Sequence, residues 1–201
     1  MIKCNVNICA VISRAASVVN GKDGDSFLSF VVKLTVTGRD GSAKDMEVSV
    51  SLDGDKSKAP VFASGRRVNL TGTLSVRRKA GKQYFNYRAD HAELANSKDG
   101  DRIDGEMEFR GKIGKKGIEE KKDKKGGLYK VFTAFSTDKD GDNVEFTWVR
   151  FLYFNPQGGG DFLSANTYVD VVGDLQLGVF KDEISLDCRV SDVKPWVLEK
   201  K

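Results

Sequence analysis

The chain alternates between apolar and polar positions, most insistently from Val144 to Phe154, where it reads Val-Glu-Phe-Thr-Trp-Val-Arg-Phe-Leu-Tyr-Phe. Successive side chains of an extended strand project to opposite faces. Val149, Phe151 and Tyr153 therefore share one face, and Trp148, Arg150, Leu152 and Phe154 share the other. A strand with one wet face would carry polar groups there, whereas this one carries a tryptophan, an arginine and a phenylalanine. Two readings fit. Left open, the second face is a row of rings with a cation between them, the chemistry that holds single-stranded nucleic acid by stacking and phosphate neutralisation. Covered, it is one side of a strand buried on both faces, or packed under a loop or against another part of the chain.

Similar patterns predict strands over Ile2–Ile12, Phe27–Val36, Met46–Leu52, Gly65–Val76 and residues 83–94. Turns separate them at Asn20–Asp25 and Arg39–Ser42, and a basic hairpin tip at Arg77–Lys82. Residues 53–65 read as a loop with one helical turn at Pro60–Ala63. Val68, Leu70, Leu74 and Val76 face inward with Gly72 in the same register, and a glycine there marks a bulge or bend of the kind a small barrel needs. Asn96–Gly105 is polar and glycine-bearing and reads as a link.

The plan then repeats. A strand over Glu106–Ile113 leads into a long Lys-rich loop, Gly114–Gly127. Leu128–Thr137, a turn at Asp138–Asp142 and the Val144–Phe154 strand follow. Pro156–Gly160 reads as a flexible loop, Phe162–Ala165 as a helical turn, and Val169–Leu177 and residues 183–193 as the last strands. At an offset of 101, Val68 falls on Val169, Gly72 on Gly173, Leu74 on Leu175, Phe85 on Leu186 and Arg88 on Arg189. A repeat of this length means two copies of one fold. The expected organisation is a first domain over 1–95, a linker over 96–105 and a second domain over 106–201. Five strands with a short helix between the third and fourth is the order of the OB-fold, a small Greek-key barrel. The predicted class is all-β, two tandem five-stranded OB-fold barrels, each with at most one short helix.

Hydrophobic residues make up 39% and charged residues 31%, enough to bury a core. No apolar run approaches the roughly 18 residues that would span a bilayer, and the first residues carry no apolar signal core. A cytoplasmic protein without a membrane partner is expected. Cys4, Cys9 and Cys188 are odd in number and show no zinc-like spacing, so they are read as reduced, buried thiols. The formal net charge of +4 is unevenly placed. Residues 1–100 hold 16 Lys+Arg against 10 Asp+Glu, a net +6, and the remainder carries −2. A basic half suits a polyanion partner.

With these residues in view, the sequence resembles the single-stranded DNA-binding protein family of bacteria and their phages. Trp148-Val-Arg-Phe-Leu-Tyr-Phe154 is similar to the family's third-strand pattern of Trp, one residue, Arg, apolar residues and an aromatic. Val68-Asn-Leu-Thr-Gly-Thr-Leu74 and Val169-Asp-Val-Val-Gly-Asp-Leu175 are similar to its fourth strand. The resemblance covers nearly the whole chain as two copies. It implies non-sequence-specific binding of single-stranded DNA in replication, recombination or repair, with replication or recombination proteins as further partners. The chain departs from the family in carrying two copies, in lacking an aromatic over Met46–Leu52, and in ending Trp196-Val-Leu-Glu-Lys-Lys201 in place of an acidic tail that recruits repair enzymes.

The binding residues expected first are Trp148, Arg150 and Phe154, then Tyr129 near the start of the neighbouring strand, with one of Phe132 and Phe135 in the groove and the other in the core. Lys112, Lys115, Lys116, Lys121, Lys122, Lys124 and Lys125 crowd the loop that joins the first two strands of the second copy, where OB-folds take ligand. Glu119, Glu120 and Asp123 dilute it. Arg77, Arg78, Lys79 and Lys82 place four cations within six residues without an acid. Tyr84 points opposite to Phe85 and Tyr87 and is a further contact. Nothing points to catalysis, a metal or a cofactor. His91 has no Cys or Ser partner by spacing, and Asp138–Asp142 lacks the twelfth-position glutamate of a calcium loop, Val149 standing there. Monomer and homodimer both fit. The competing readings are a non-catalytic protein-interaction scaffold and an RNA-binding protein, since stacking alone does not read the 2′-hydroxyl.

Overall fold

The structure, a computed structural model, describes residues 1–21, 24–154 and 162–197, apart from the Asp140 side chain. Ten strands follow one another: β1 (Ile2–Asn20), β2 (Ser26–Thr37), β3 (Ala43–Asp53), β4 (Arg67–Lys79), β5 (Lys82–Leu94), β6 (Arg102–Lys122), β7 (Leu128–Asp140), β8 (Asn143–Phe154), β9 (Tyr168–Phe180) and β10 (Glu183–Pro195). One 3-10 turn, Ala59–Phe62, stands between β3 and β4 and buries Phe62 on Phe30, their rings stacked 5.3 Å apart. It occupies the expected place.

Each set of five strands closes on itself. β1 pairs with β2, β2 with β3, β3 with β5 in parallel, β5 with β4, and β4 with β1. β6 to β10 repeat this order strand for strand. That is the OB-fold connectivity, twice. The inward residues are apolar in period two: Val68, Leu70, Leu74 and Val76 in the first barrel, and Met107, Phe109, Phe151, Val169 and Val171 in the second, are all buried.

The 101-residue repeat is written in the irregularities as well as the strands. The β4–β5 ladder slips between Thr71 and Gly72, leaving Asp90 unpaired, and the β9–β10 ladder slips between Val190 and Asp192, leaving Ser191 unpaired. A Cβ on Gly72 would lie 2.1 Å from the Arg88 carbonyl oxygen, and one on Gly173 would lie 2.2 Å from that of Arg189. The β4–β5 and β9–β10 hairpins both turn on two residues of positive φ, Ala80-Gly81 and Lys181-Asp182.

The barrels are joined edge to edge. Ile2–Cys9 of β1 pairs antiparallel with Arg102–Phe109 of β6, Ile2 opposite Phe109 and Ile8 opposite Ile103. Corrected by 101, Ile2 meets the counterpart of Ile8 and Ile8 the counterpart of Ile2. This is the self-complementary pairing of a two-fold dimer, made within one chain. The same relation recurs where the hairpins cross. The Gly81 amide donates to Glu145 at 3.1 Å, and Lys44, the counterpart of Glu145, pairs at 3.1 Å with Asp182, the counterpart of Gly81.

Four expectations need correcting. β1 runs to Asn20, well past Ile12, because bulges between Ile12 and Ser17 break the alternation while the chain stays paired to β2. Most of the expected loop Gly114–Gly127 is strand: β6 continues through Lys122, re-paired to β7 after an irregularity between Ile113 and Ile118, and only 123–127 turns. Its lysines concealed the strand, since along Lys115–Lys122 only Ile118 packs against the core. At the other end β6 takes in Arg102–Gly105, expected in the link. Phe162–Ala165 forms no helix. A turn closes there by Thr167 N–H to Ser164 O at 3.3 Å, with Asn166 at φ 66°. The Pro156–Gly160 loop lies outside the described residues.

Candidate nucleic-acid interface

The alternation of β8 resolves the choice left by the sequence. Val149 and Phe151 are fully buried in the second barrel, while Trp148 is 50% exposed and Phe154 37% exposed. The second face of β8 is open.

Cross-strand register sets its neighbours. Lys112 of β6 stands opposite Phe135 of β7, which stands opposite Trp148 of β8. Further along, Lys121, Tyr129 and Phe154 form the same kind of row. Thr133–Arg150 and Val131–Leu152 lie between them. With a rise of about 3.3 Å per residue, the two aromatic rows are about 20 Å apart along the strand.

At one end three rings cluster. Phe135 lies 4.9 Å from Trp148 and 5.2 Å from Phe146, which is 45% exposed. Phe132, the other candidate for this position, is core and stacks on Phe151. The indole rests on Gly114, where a Cβ would come within 3.0 Å of Trp148 Cζ3. Lys112, Lys115, Lys116 and Lys121 line a groove of about 710 Å³ that runs past Phe135 and Trp148. At the other end Tyr129 stacks on Phe154 at 4.9 Å, and the Arg189 guanidinium lies over the Phe154 ring at 5.2 Å. Phe154 therefore has one neighbour in Tyr129 and a second in Arg189, while Tyr129 is half-buried.

Arg150 does not stand alone. Its Nε donates to Asp187 Oδ1 at 3.1 Å and its Nη2 to Asp187 Oδ2, in a bidentate pair across the parallel β8–β10 ladder. The remaining expected residues divide. Lys124 and Lys125 sit in the β6–β7 turn, at the Tyr129 end of the face. The Asp123 carboxylate shapes that turn by accepting from the amides of Lys125 and Gly127 at 2.8 and 2.7 Å. Arg78 of the first barrel reaches the second barrel and pairs with Glu183 at 3.1 Å. Arg77 and Tyr84 are paired neighbours on the other side of that hairpin, with Lys79 and Lys82 beside its tip. Tyr84 is exposed while Phe85 and Tyr87 are core, as the repeat implied.

The first barrel offers no counterpart of the aromatic face. Lys33, Asp45, Glu47, Ser49, Ser51 and Asp53 occupy the equivalent positions of β2 and β3. Asp45 accepts from Lys33 at 3.0 Å and from Thr35 at 2.9 Å, contacts that hold its carboxyl below the usual range.

By sequence the chain matches no family model and no curated protein. By structure it is similar to the wild-type single-stranded DNA binding protein from Thermus aquaticus, with a TM-score of 0.51 and 12% identity over 100% of this chain and 95% of that one. A deletion mutant of the same protein gives a TM-score of 0.50 and 13% identity over 100% and 97%. The chain shares their fold. The shared fold covers both barrels in tandem, so the pairing of two OB-folds in one chain is not peculiar to this sequence.

Among the described residues no group of three or more His, Cys, Asp or Glu could hold a metal ion. No helix there is long and apolar enough to cross a membrane. The three cysteines are free and buried. Sequence reasoning missed Phe146, which shares the parity of Trp148 and was legible on that ground. It also missed Arg39, Asp187 and Arg189 as neighbours of the face. Arg39 and Asp187 are 148 positions apart and meet only because the barrels dock.

Proposed function

We propose that the outer face of β6, β7 and β8 binds single-stranded DNA without strong sequence preference, bases stacking on Trp148 and Tyr129 while the lysines of β6 and of the β6–β7 turn meet phosphates. The observation that carries this is the open cluster of Trp148, Phe135 and Phe146 beside a lysine-lined groove. A large exposed aromatic patch is costly unless a flat apolar ligand covers it, and the adjacent cations call for a ligand that is also an anion. The role that follows is protection of single strands during DNA replication, recombination or repair. The chain's sequence half that carries excess positive charge is the first, yet the stacking surface is on the second, so the two barrels divide the work.

The test is titration with an oligo-dT strand at low salt, read by intrinsic tryptophan fluorescence, with Trp148→Ala alongside. Trp196 packs edge-on to Tyr168 and supplies the background signal. Quenching should vanish in the variant, and affinity should fall by about 1–3 kcal/mol. Equal affinity for duplex and single strand, or quenching that survives the substitution, would sink the reading.

A further inference from the structure

β8 and β10 pair only over Val149–Leu152 and Leu186–Arg189. Before Leu186 the strands part, and a cleft of about 810 Å³ opens beside Trp148. One wall is the second barrel. The other is supplied by the first: Thr37 and Arg39 from the β2–β3 hairpin, Arg78 and Gln83 from the β4–β5 hairpin. Arg39 Nη2 lies 3.3 Å from Asp187 Oδ2, the oxygen that also takes Arg150. Two guanidinium groups, one from each barrel, thus converge on one carboxylate in the cleft that Trp148 also lines. Their side chains are 69% and 40% exposed, and that of Asp187 only 11%. Thr147 also lines this cleft, its Oγ1 buried and without a hydrogen-bond partner among the described residues.

We infer that this cleft is a phosphate-binding clamp made by both barrels, in which Arg39 of the first barrel takes a backbone phosphate of the strand stacked on Trp148 of the second. The inference rests on the function proposed above. Asp187 is the counter-ion that holds the two arginines in place before the strand arrives. Arg150 is gripped through two of its three guanidinium nitrogens and stays with Asp187. Arg39 makes one longer contact and is mostly exposed, so it is the group that a phosphate draws away. Three charges of net +1 thereby present a single releasable cation. The path of the strand runs along the β6–β7–β8 face, over Trp148 and under the β2–β3 hairpin. The first barrel serves the site although its own equivalent face is acidic and rich in serine.

The experiment measures oligo-dT affinity of the full chain against salt concentration for wild type, Arg39→Gln, Arg39→Lys and Asp187→Asn, with Arg88→Gln, paired to Asp53 on the first barrel, as a reference. Each neutralised phosphate contributes about 0.7 to the log–log salt slope for single strands. Arg39→Gln should flatten the slope by about 0.7 and weaken binding roughly tenfold at low salt, as loss of one charge-assisted hydrogen bond would. Arg39→Lys should keep the slope. Asp187→Asn, which retains an acceptor for Arg150 but frees a second cation, should steepen it by about 0.7. Trp148 quenching should persist in all of them. An unchanged slope in Arg39→Gln, or in Asp187→Asn, would overturn the clamp while leaving the stacking face standing. Wild type that neither binds nor quenches would overturn both.

Discussion

Gly173 has a carbonyl oxygen where a side chain would begin. A methyl group there would lie 2.2 Å from Arg189 O and 2.8 Å from Cys188 Sγ. The obstruction is backbone at the bulge that lets β10 bend around the barrel, so the neighbour cannot swing aside. Gly173→Ala should cost about 1–3 kcal/mol, the range for overpacking, and Gly72→Ala a similar amount because its clash with Arg88 O is equivalent. Chemical denaturation with both single variants checks this. The thiols make a second prediction at this scale. Burial pushes Cys4 and Cys188 up to about 12 from an ordinary 9.0. Below pH 9 both are neutral whether the chain is folded or not, and their contribution is intact. Between pH 9 and 12 the unfolded chain ionises them and the folded one does not, so stability should fall by up to about 1.4 kcal/mol per pH unit for each thiol. Unfolding free energies from pH 7 to 10.5 should be level and then decline. Replacing both cysteines with alanine should lessen the decline.

At the scale of the element, strands were legible wherever one face is buried, because period-two burial leaves its mark in the sequence. Met46–Leu52 and Val144–Phe154 are clear cases. β1 beyond Ile12 and β6 beyond Ile113 were not legible, for one reason: both are arms of hairpins that leave the barrel. Ala16 alone in Ser13–Asn20 and Ile118 alone in Lys115–Lys122 pack against the core, too few to write an alternation, and the ladder to the neighbouring strand is made by backbone groups that every residue type possesses. The glycines and the repeat carried more. Gly72 and Gly173 announced the bulges, and the 101-residue offset anticipated which residues are core in both copies. The geometry of the candidate site was half legible by the same logic. Trp148, Arg150 and Phe154 share a face by parity, which one strand can state. That Tyr129 and Arg189 flank Phe154, and that Arg150 answers to Asp187, depends on register between strands, which no single strand records.

At the scale of the whole molecule, the antiparallel pairing of Ile2–Cys9 with Arg102–Phe109 makes the sheet continuous from one barrel to the other. Crossed hairpins reinforce it through Arg78–Glu183 and Lys44–Asp182. The exposed ion pairs contribute little individually. The shared strand edge is different, since opening it leaves a row of backbone groups unpaired on each barrel. The two barrels should therefore unfold in one transition, with calorimetric and van't Hoff enthalpies in agreement. Two separated transitions would mean that the strand edge does not couple them.

That internal two-fold has a consequence for direction. A dimer of identical barrels displays every surface twice, in opposite orientations, and a strand lying across it can be read equally well either way. Here the duplicated barrels have diverged: rings and lysines on one, Glu47 and serines at the same positions on the other. With the two-fold copy of the face erased, the molecule has a head and a tail. On the path proposed above, from Tyr129 to Trp148 and on beneath Arg39, a strand would meet a different chemistry at each step, and its 5′ and 3′ ends would not be interchangeable.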